Sequence, residues 1–227
     1  MYSERPARLT GAVVWQQPHS GPHPVLPDGC MDLVWTPGRL LVAGPDTRAH
    51  TGGEGARYAG VRFAPGTAPA LLGVPAHEVR DQRVELADLW GAAVARRLAE
   101  RIDAAADPAA ALEELVLRTA AGAPDPPDPV LERIVRHLDS GQTVSAAARA
   151  VGLGARQLHR RSLHAFGYGP KTLARVLRLQ RALALVRRGV PFTAAALAAG
   201  CADQAHLARE MRELAGTTLT AYTASRP

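Results

Sequence analysis

The chain has 227 residues, of which 47% are hydrophobic and 21% charged, and a formal net charge of +6 at pH 7. That composition excludes a wholly disordered chain, and no apolar run approaches the ~20 residues of a membrane span. Two distant cysteines, Cys30 and Cys201, exclude a disulfide framework. The first residues lead into no apolar stretch, so no signal peptide is expected and the chain reads as cytoplasmic.

The N-terminal part predicts short strands at 12–15, 31–35, 40–43 and 58–63. Asp28-Gly29 and Pro37-Gly38 between them have the chemistry of tight turns. Strands this short at roughly 10-residue spacing suggest a small β-barrel or sandwich. Short helices are expected at 69–72 and 86–90, and amphipathic ones at 92–104 and 108–121. Leu98, Ile102, Leu112, Leu115 and Val116 are their expected buried positions. Trp15 and Trp35 fit aromatic core packing better than a pocket wall. His19, His23, Asp28, Cys30, Asp32 and His50 cluster in sequence. Pro18, Pro22 and Pro24 nevertheless deny the His19-x3-His23 spacing a helix. Cys30 reads as a small core thiol rather than a reactive one. No catalytic residue, metal set or cofactor is expected.

Residues 124–129 hold four prolines and form a stiff spacer. The domains expected are therefore 1–123, a linker at 124–129, and 130–227. Asp128 and Pro129 also suit the N-cap and first position of a helix. The charge divides unevenly at this spacer. Residues 1–123 carry 12 arginines against 14 acids, a net of −2, while residues 124–227 carry 15 basic residues against 7 acids, a net of +8. A basic segment joined to a slightly acidic one points to a polyanion partner for the second.

The C-terminal part repeats itself. Ser145, Ala148 and Gly152 recur 48 residues later as Thr193, Ala196 and Gly200, and Leu158, Arg160 and Gly167 recur 49 residues later as Leu207, Arg209 and Gly216. Each copy reads as a short helix of small residues, a glycine turn and a longer helix. That is the helix-turn-helix pattern, whose second helix can enter a major groove. Asp203 is the expected N-cap of the second longer helix; Gly154, its counterpart, is a weaker one. Between the copies, Gly169-Pro170 opens a helix to about Arg188 that is apolar on more than one side, as a buried connector must be.

The run from Ala198 to Met211 (AAGCADQAHLAREM) resembles the second helix-turn-helix of AraC/XylS-type transcription regulators. Residues 216–222 resemble the segment closing that domain, and 167–183 its connector helix. The resemblance spans about residues 129–224. Cys201, Leu207, Ser162, Ala215 and Leu219 depart from it, mostly by making core side chains smaller. Residues 26–35, 42–46, 62–66 and 71–75 resemble an uncharacterised domain fused to such regulators, over about residues 8–120, which implies a compact cupin-like barrel with a sensory or dimerisation role. The fold class is thus α+β: a small N-terminal β-barrel with helices, then an all-α domain of two helix-turn-helix units on a long connector.

With Leu158 and Ala165 turned inward on the first recognition helix, Arg156, Gln157, His159 and Arg160 remain to read base edges. On the second, Leu207, Met211 and Leu214 form the inward stripe and leave Gln204, Ala205, His206 and Arg209. The resemblance assigns base-facing positions to Arg156, His159 and Arg160. Arg161, Lys171, Thr172, Arg178 and Thr218 are phosphate candidates from charge or from position at helix starts. Arg209 has a second option, an i+4 pair with Glu213.

These features predict a sequence-specific regulator that binds double-stranded promoter DNA through two adjacent major grooves, about one turn or ~34 Å apart. The acidic part would bind a small-molecule effector or a second subunit, with the helices at 92–121 as the homodimer surface; RNA polymerase is a further partner such a regulator implies, and a membrane is not. Two other readings stay open: a small-molecule-binding or metal-dependent barrel enzyme with an auxiliary helical domain, and a sequence-independent DNA-binding protein.

Overall fold

A computed structural model describes residues 2–17, 24–51, 57–123 and 128–224. His19, His23 and most of the proline spacer lie outside the described residues. Among the described residues, six strands form one antiparallel sheet: β1 (Ser3–Pro6), β2 (Val13–Gln17), β3 (Met31–Thr36), β4 (Arg39–Ala43), β5 (Tyr58–Phe63) and β6 (Arg83–Glu85), in the order β1-β2-β5-β3-β4-β6. The α+β class holds, but the sheet is open where a barrel was expected. Its edges, β1 and β6, are four and three residues long, too short to close on each other, and helices cover one face in place of a second wall of strands. Both edges escape a sequence reading: β1 is exposed throughout and shows no apolar alternation, and β6 has one apolar residue.

The period-two alternation of the central strands sorts side chains onto two faces. Met31, Leu33 and Trp35 of β3 and Ala59, Val61 and Phe63 of β5 enter the core, which is closed by α1 (Ala68–Leu72), α2 (Leu86–Trp90), α3 (Ala92–Asp103) and α4 (Pro108–Ala121). Ile102, Leu112, Leu115 and Val116 are buried as expected, and Leu98 is half-buried. This packing turns the apolar sides of α3 and α4 inward, leaving Arg96, Arg97, Glu100 and Arg101 outward on α3. Trp35 joins the core and donates from Nε1 to Asp103 at 2.8 Å. Trp15 does not: it sits on the opposite face.

Glu113 of α4 is buried, and ties the edge strand to the helices. It accepts from Arg5 at 2.8 Å and from the backbone N–H of Arg8 at 2.6 Å. The Arg5 hydrogen bond holds its carboxyl below the usual range. Glu113→Ala is expected to cost about 1–3 kcal/mol, the range for a charge-assisted bond left unmade, measured by urea unfolding. Because the folded pKa is depressed, that contribution is full at neutral pH and is lost as pH falls through the lowered value. Equal stability of variant and parent at pH 7 would contradict it.

Among the described residues, seven helices follow: α5 (Pro129–Asp139), α6 (Val144–Ala150), α7 (Ala155–Phe166), α8 (Pro170–Arg187), α9 (Phe192–Ala198), α10 (Gln204–Ala215) and α11 (Leu219–Ala224). The expected caps are made: Asp128 accepts from Val130 N at 2.9 Å and Asp203 from His206 N at 2.6 Å. At Gly154, which has no side chain to cap with, Gln157 supplies half of a capping box by accepting from Gly154 N at 3.1 Å. Gly152 and Gly200 turn the two units at φ 71° and 89°, a region that other residues rarely adopt. Connector α8 buries Leu173, Val176, Leu179, Ala182 and Leu183 among the surrounding helices. Ser162 is buried among these helices with its hydroxyl making no hydrogen bond, a cost an apolar side chain would not carry.

The two cores meet across loops whose backbone groups are satisfied from the opposite side. Ala76 N donates to His164 O of α7 at 2.8 Å, Ala49 N to Leu214 O of α10 at 2.7 Å, and Gln180 Nε2 of α8 to Pro27 O at 2.6 Å. Leu26 packs against the C-terminal core. Loop 44–50 therefore touches both longer helices of the repeat, since Pro45 also abuts Gly167 at the end of α7.

Candidate functional site

Each repeat presents the N-terminal end of its longer helix to solvent. On α7, Leu158 and Ala165 are buried, and Arg156, Gln157, His159 and Arg160 are exposed. Arg156 and Arg160 form no ion pair among the described residues. Gln157 has one oxygen on its cap, and His159 lies against Gly169. On α10, Leu207, Met211 and Leu214 are buried and Gln204, Ala205 and Arg209 are exposed. Gln204 Oε1 accepts from the Thr193 hydroxyl at 2.7 Å. His206 differs from its expected position: it is half-buried, accepts from Ala202 N at Nδ1, 3.3 Å away, and holds Nε2 3.5 Å from Glu210.

The phosphate candidates divide in the same way. Lys171 is exposed and Thr172 half-buried in the first turn of α8. Arg161 is exposed but pairs with Asp128 at 2.9 Å. Thr218 is exposed and caps α11 by accepting from Ala221 N at 3.1 Å. Arg178 is turned inward, where it donates from Nε to Glu210 at 3.0 Å and from a second nitrogen to the other oxygen. Its charge is occupied inside the protein, which sets it apart from Lys171.

Sequence reading passed over Glu210. It is 4% exposed and receives Arg178, Arg175 and the edge of His206. Burial raises its pKa, but the Arg178 hydrogen bond and charge outweigh that and bring it down. Glu213 pairs with Arg175 of the connector, not with Arg209. The available signal was spacing: Glu210 falls i+3 from the buried Leu207, so it shares the inward side. Cys201, His206 and Glu210 also bring potential metal-ligand atoms within 4.8 Å of one another. Two guanidiniums already supply the positive charge at Glu210, and burial pushes the Cys201 thiol up, away from the thiolate a metal needs.

A cavity of about 180 Å3 opens on the sheet face opposite the helices. Trp15, Val34, Leu41 and Tyr58 supply much of its wall, and Asp28, Asp32, Arg62, Asp46, Arg83 and His50 bring charge to it. Trp15, placed in the core by sequence reading, is instead a wall residue; its indole lies on Gly60, where an added Cβ would come within 2.3 Å of the ring. Its Nε1 donates to Asp32 Oδ1 at 2.6 Å. Arg62 Nε stands 3.2 Å from Asp28 and 3.5 Å from Asp32. Burial drives the Asp32 carboxyl up to about 6 against the opposing charge of Arg62. Burial likewise raises the Cys30 thiol, which lines the cavity as an inert group.

The paired units, their shared connector and their exposed polar helix ends define a double helix-turn-helix arrangement. Residues 131–225 match the family described as a helix-turn-helix domain, and residues 11–85 one described as a domain of unknown function, DUF6597. A probable AraC family transcriptional regulator from Rhodopseudomonas palustris aligns at 24% identity over 44% of this chain and all of that one, with a TM-score of 0.37. ToxT from Vibrio cholerae aligns at 8% identity over 97% of each chain, with a TM-score of 0.50, and so does ToxT bound to (E)-4-(8-methylnaphthalen-1-yl)but-3-enoic acid, at 9% identity. No curated protein matches. The chain thus carries a helix-turn-helix domain in its C-terminal part, behind an N-terminal domain of unknown function.

Proposed function

We propose that this protein reads a specific DNA sequence with α7 and α10 in adjacent major grooves, and that the N-terminal domain, residues 1–123, governs that reading. The observation that carries the proposal is the pair of exposed helix ends, Arg156 and Arg160 on one unit and Gln204, Ala205 and Arg209 on the other, held on one buried connector. Arginine can pair bidentately with guanine and glutamine with adenine, and the rigid connector holds the distance between the two units. Selection of bound fragments from a random DNA pool tests it. The expected product is a motif of two blocks about one helical turn apart. Recovery of unrelated sequences, with affinity that depends on salt alone, would favour sequence-independent binding.

The cavity is the proposed effector site. Its wall includes Val25, Leu26 and Asp28 on one segment and Gly44, Asp46 and His50 on another. These two segments pair through the Val25–His50 bridge, and both reach the C-terminal helices, one at α8 and the other at α7 and α10. Occupancy of the cavity would bear directly on the surface that supports both recognition helices. The ToxT structure with a naphthyl butenoic acid offers a precedent for a small organic ligand on a similar fold. The promoter, a second subunit and RNA polymerase complete the proposed partners, in the cytoplasm.

A further inference from the structure

We infer that the cavity selects a small organic cation, a protonated amine or amidine on an aromatic or apolar body, with the cation against Asp32 and Asp28 and the body against Trp15 and Tyr58. This rests on the reading of the cavity as an effector site. The first argument is charge. Among the described residues, three carboxylates and two guanidiniums line the cavity, a balance of −1. Arg83 is closed on Asp46 by two bonds of 2.8 and 2.6 Å. Arg62 lies between Asp28 and Asp32, and its buried Nε completes no hydrogen bond with either. His50 is held toward its neutral form by burial. Each arginine already faces a carboxylate, so an entering anion would meet no free cation and would be repelled by the remaining carboxylate. An entering cation meets Asp32, whose ion pair with Arg62 is shared with Asp28.

The second argument is shape. Trp15 and Tyr58 stand on neighbouring strands beside the acids, with Val34 and Leu41 completing an apolar side. Aromatic faces favour a cation or an aromatic ring beside them. A cavity of about 180 Å3 is smaller than the pockets that hold drug-sized ligands, and suits one ring with a short arm. The groups facing Asp32 are Asp28 and Cys30 ahead of β3, Arg62 of β5, Arg83 of β6 and Tyr2 ahead of β1. Asp28 and burial disfavour its charge, and Arg62, Trp15 and Arg83 favour it. A ligand ammonium would favour it further.

The test uses the full chain and three matched probes: benzylamine, benzyl alcohol and benzoate, titrated by calorimetry at pH 8 and pH 5. Benzylamine is expected to bind, with the alcohol and the acid at least about tenfold weaker, the ratio of one charge-assisted bond. Its affinity should fall from pH 8 to pH 5, because Asp32 protonates near 6 while the amine stays charged. Asp32→Asn should remove the preference for the amine and the pH dependence together. The pH series on the parent protein keeps the test decisive if that variant fails to fold. Binding of benzoate in preference to benzylamine would overturn the inference and leave the effector reading standing. Binding of none of the three overturns it as well, and then the cavity-filling Leu41→Trp decides the parent reading: unchanged DNA affinity in that variant would remove the effector role too.

Discussion

Arg156→Ala and Arg160→Ala are each expected to weaken binding to the selected site by about 1–3 kcal/mol and to relax base preference at one position. Both side chains stand at the exposed N-terminal end of α7, and no internal acid occupies either among the described residues. They therefore enter a complex without first breaking an ion pair. Lys171→Ala should behave differently. Its charge on the first turn of α8 suits a phosphate, so all sequences should weaken alike and the salt dependence should fall by about one counterion. Affinity measured across single-base variants of the site, at two salt concentrations, separates these roles. An equal loss at every sequence for Arg156→Ala would withdraw base reading from that residue.

Glu210→Ala is expected to cost about 2–3 kcal/mol and to loosen α10 on the connector. Removing one member of a buried ion pair leaves its partners uncompensated, which is worth about 3–5 kcal/mol when all are buried. Here Arg178 is 21% and Arg175 37% exposed, so water recovers part of that loss. The folded pKa of Glu210 is depressed, so its contribution is full at neutral pH and is lost as pH falls through the lowered value. Amide exchange should rise in α10 while α7 keeps its protection, and DNA footprints should lose the block read by the second unit. If stability and both footprints are unchanged, the ion pairs of Glu210 with Arg178 and Arg175 do not hold α10 on the connector. Glu210→Gln, which keeps the shape and one acceptor, should lie between the two.

Much of the C-terminal domain is visible in the sequence because its signals are local. A repeated glycine turn, an N-cap at Asp203 and an apolar stripe at 207, 211 and 214 each act within one or two turns of helix. The central strands are legible for a related reason: β3 and β5 alternate or run apolar over six residues. The edge strands have no such signature, since they are held by backbone pairing to a neighbour and by contacts such as Arg5 with Glu113, 108 positions away. The openness of the sheet follows from those short edges. It could not be read from strand spacing, which is the same for a barrel and an open sheet.

Side-chain partners were the least legible part of the site. Charge placed Arg178, and spacing His206, on the DNA-facing side, but both are drawn toward Glu210, a residue on another helix in the case of Arg178. Trp15 reads as core because an indole usually is; in the fold its neighbour across the strand pair is Gly60, and the indole closes a cavity wall.

The sequence by itself determined the split of charge, −2 over residues 1–123 and +8 over residues 124–227, the duplicated unit and the residue types at its exposed helix ends. These follow from composition and short-range periodicity, which depend on chemistry along the chain. Only the tertiary structure decided which of those charges are available and where the acidic part makes a cavity. Availability depends on who sits opposite, and the opposing groups are brought together by sheet register and helix packing from positions tens of residues apart. The excess positive charge of the C-terminal part thus resolves into arginines open to DNA, such as Arg156 and Arg160, and arginines held inside, such as Arg178 on Glu210.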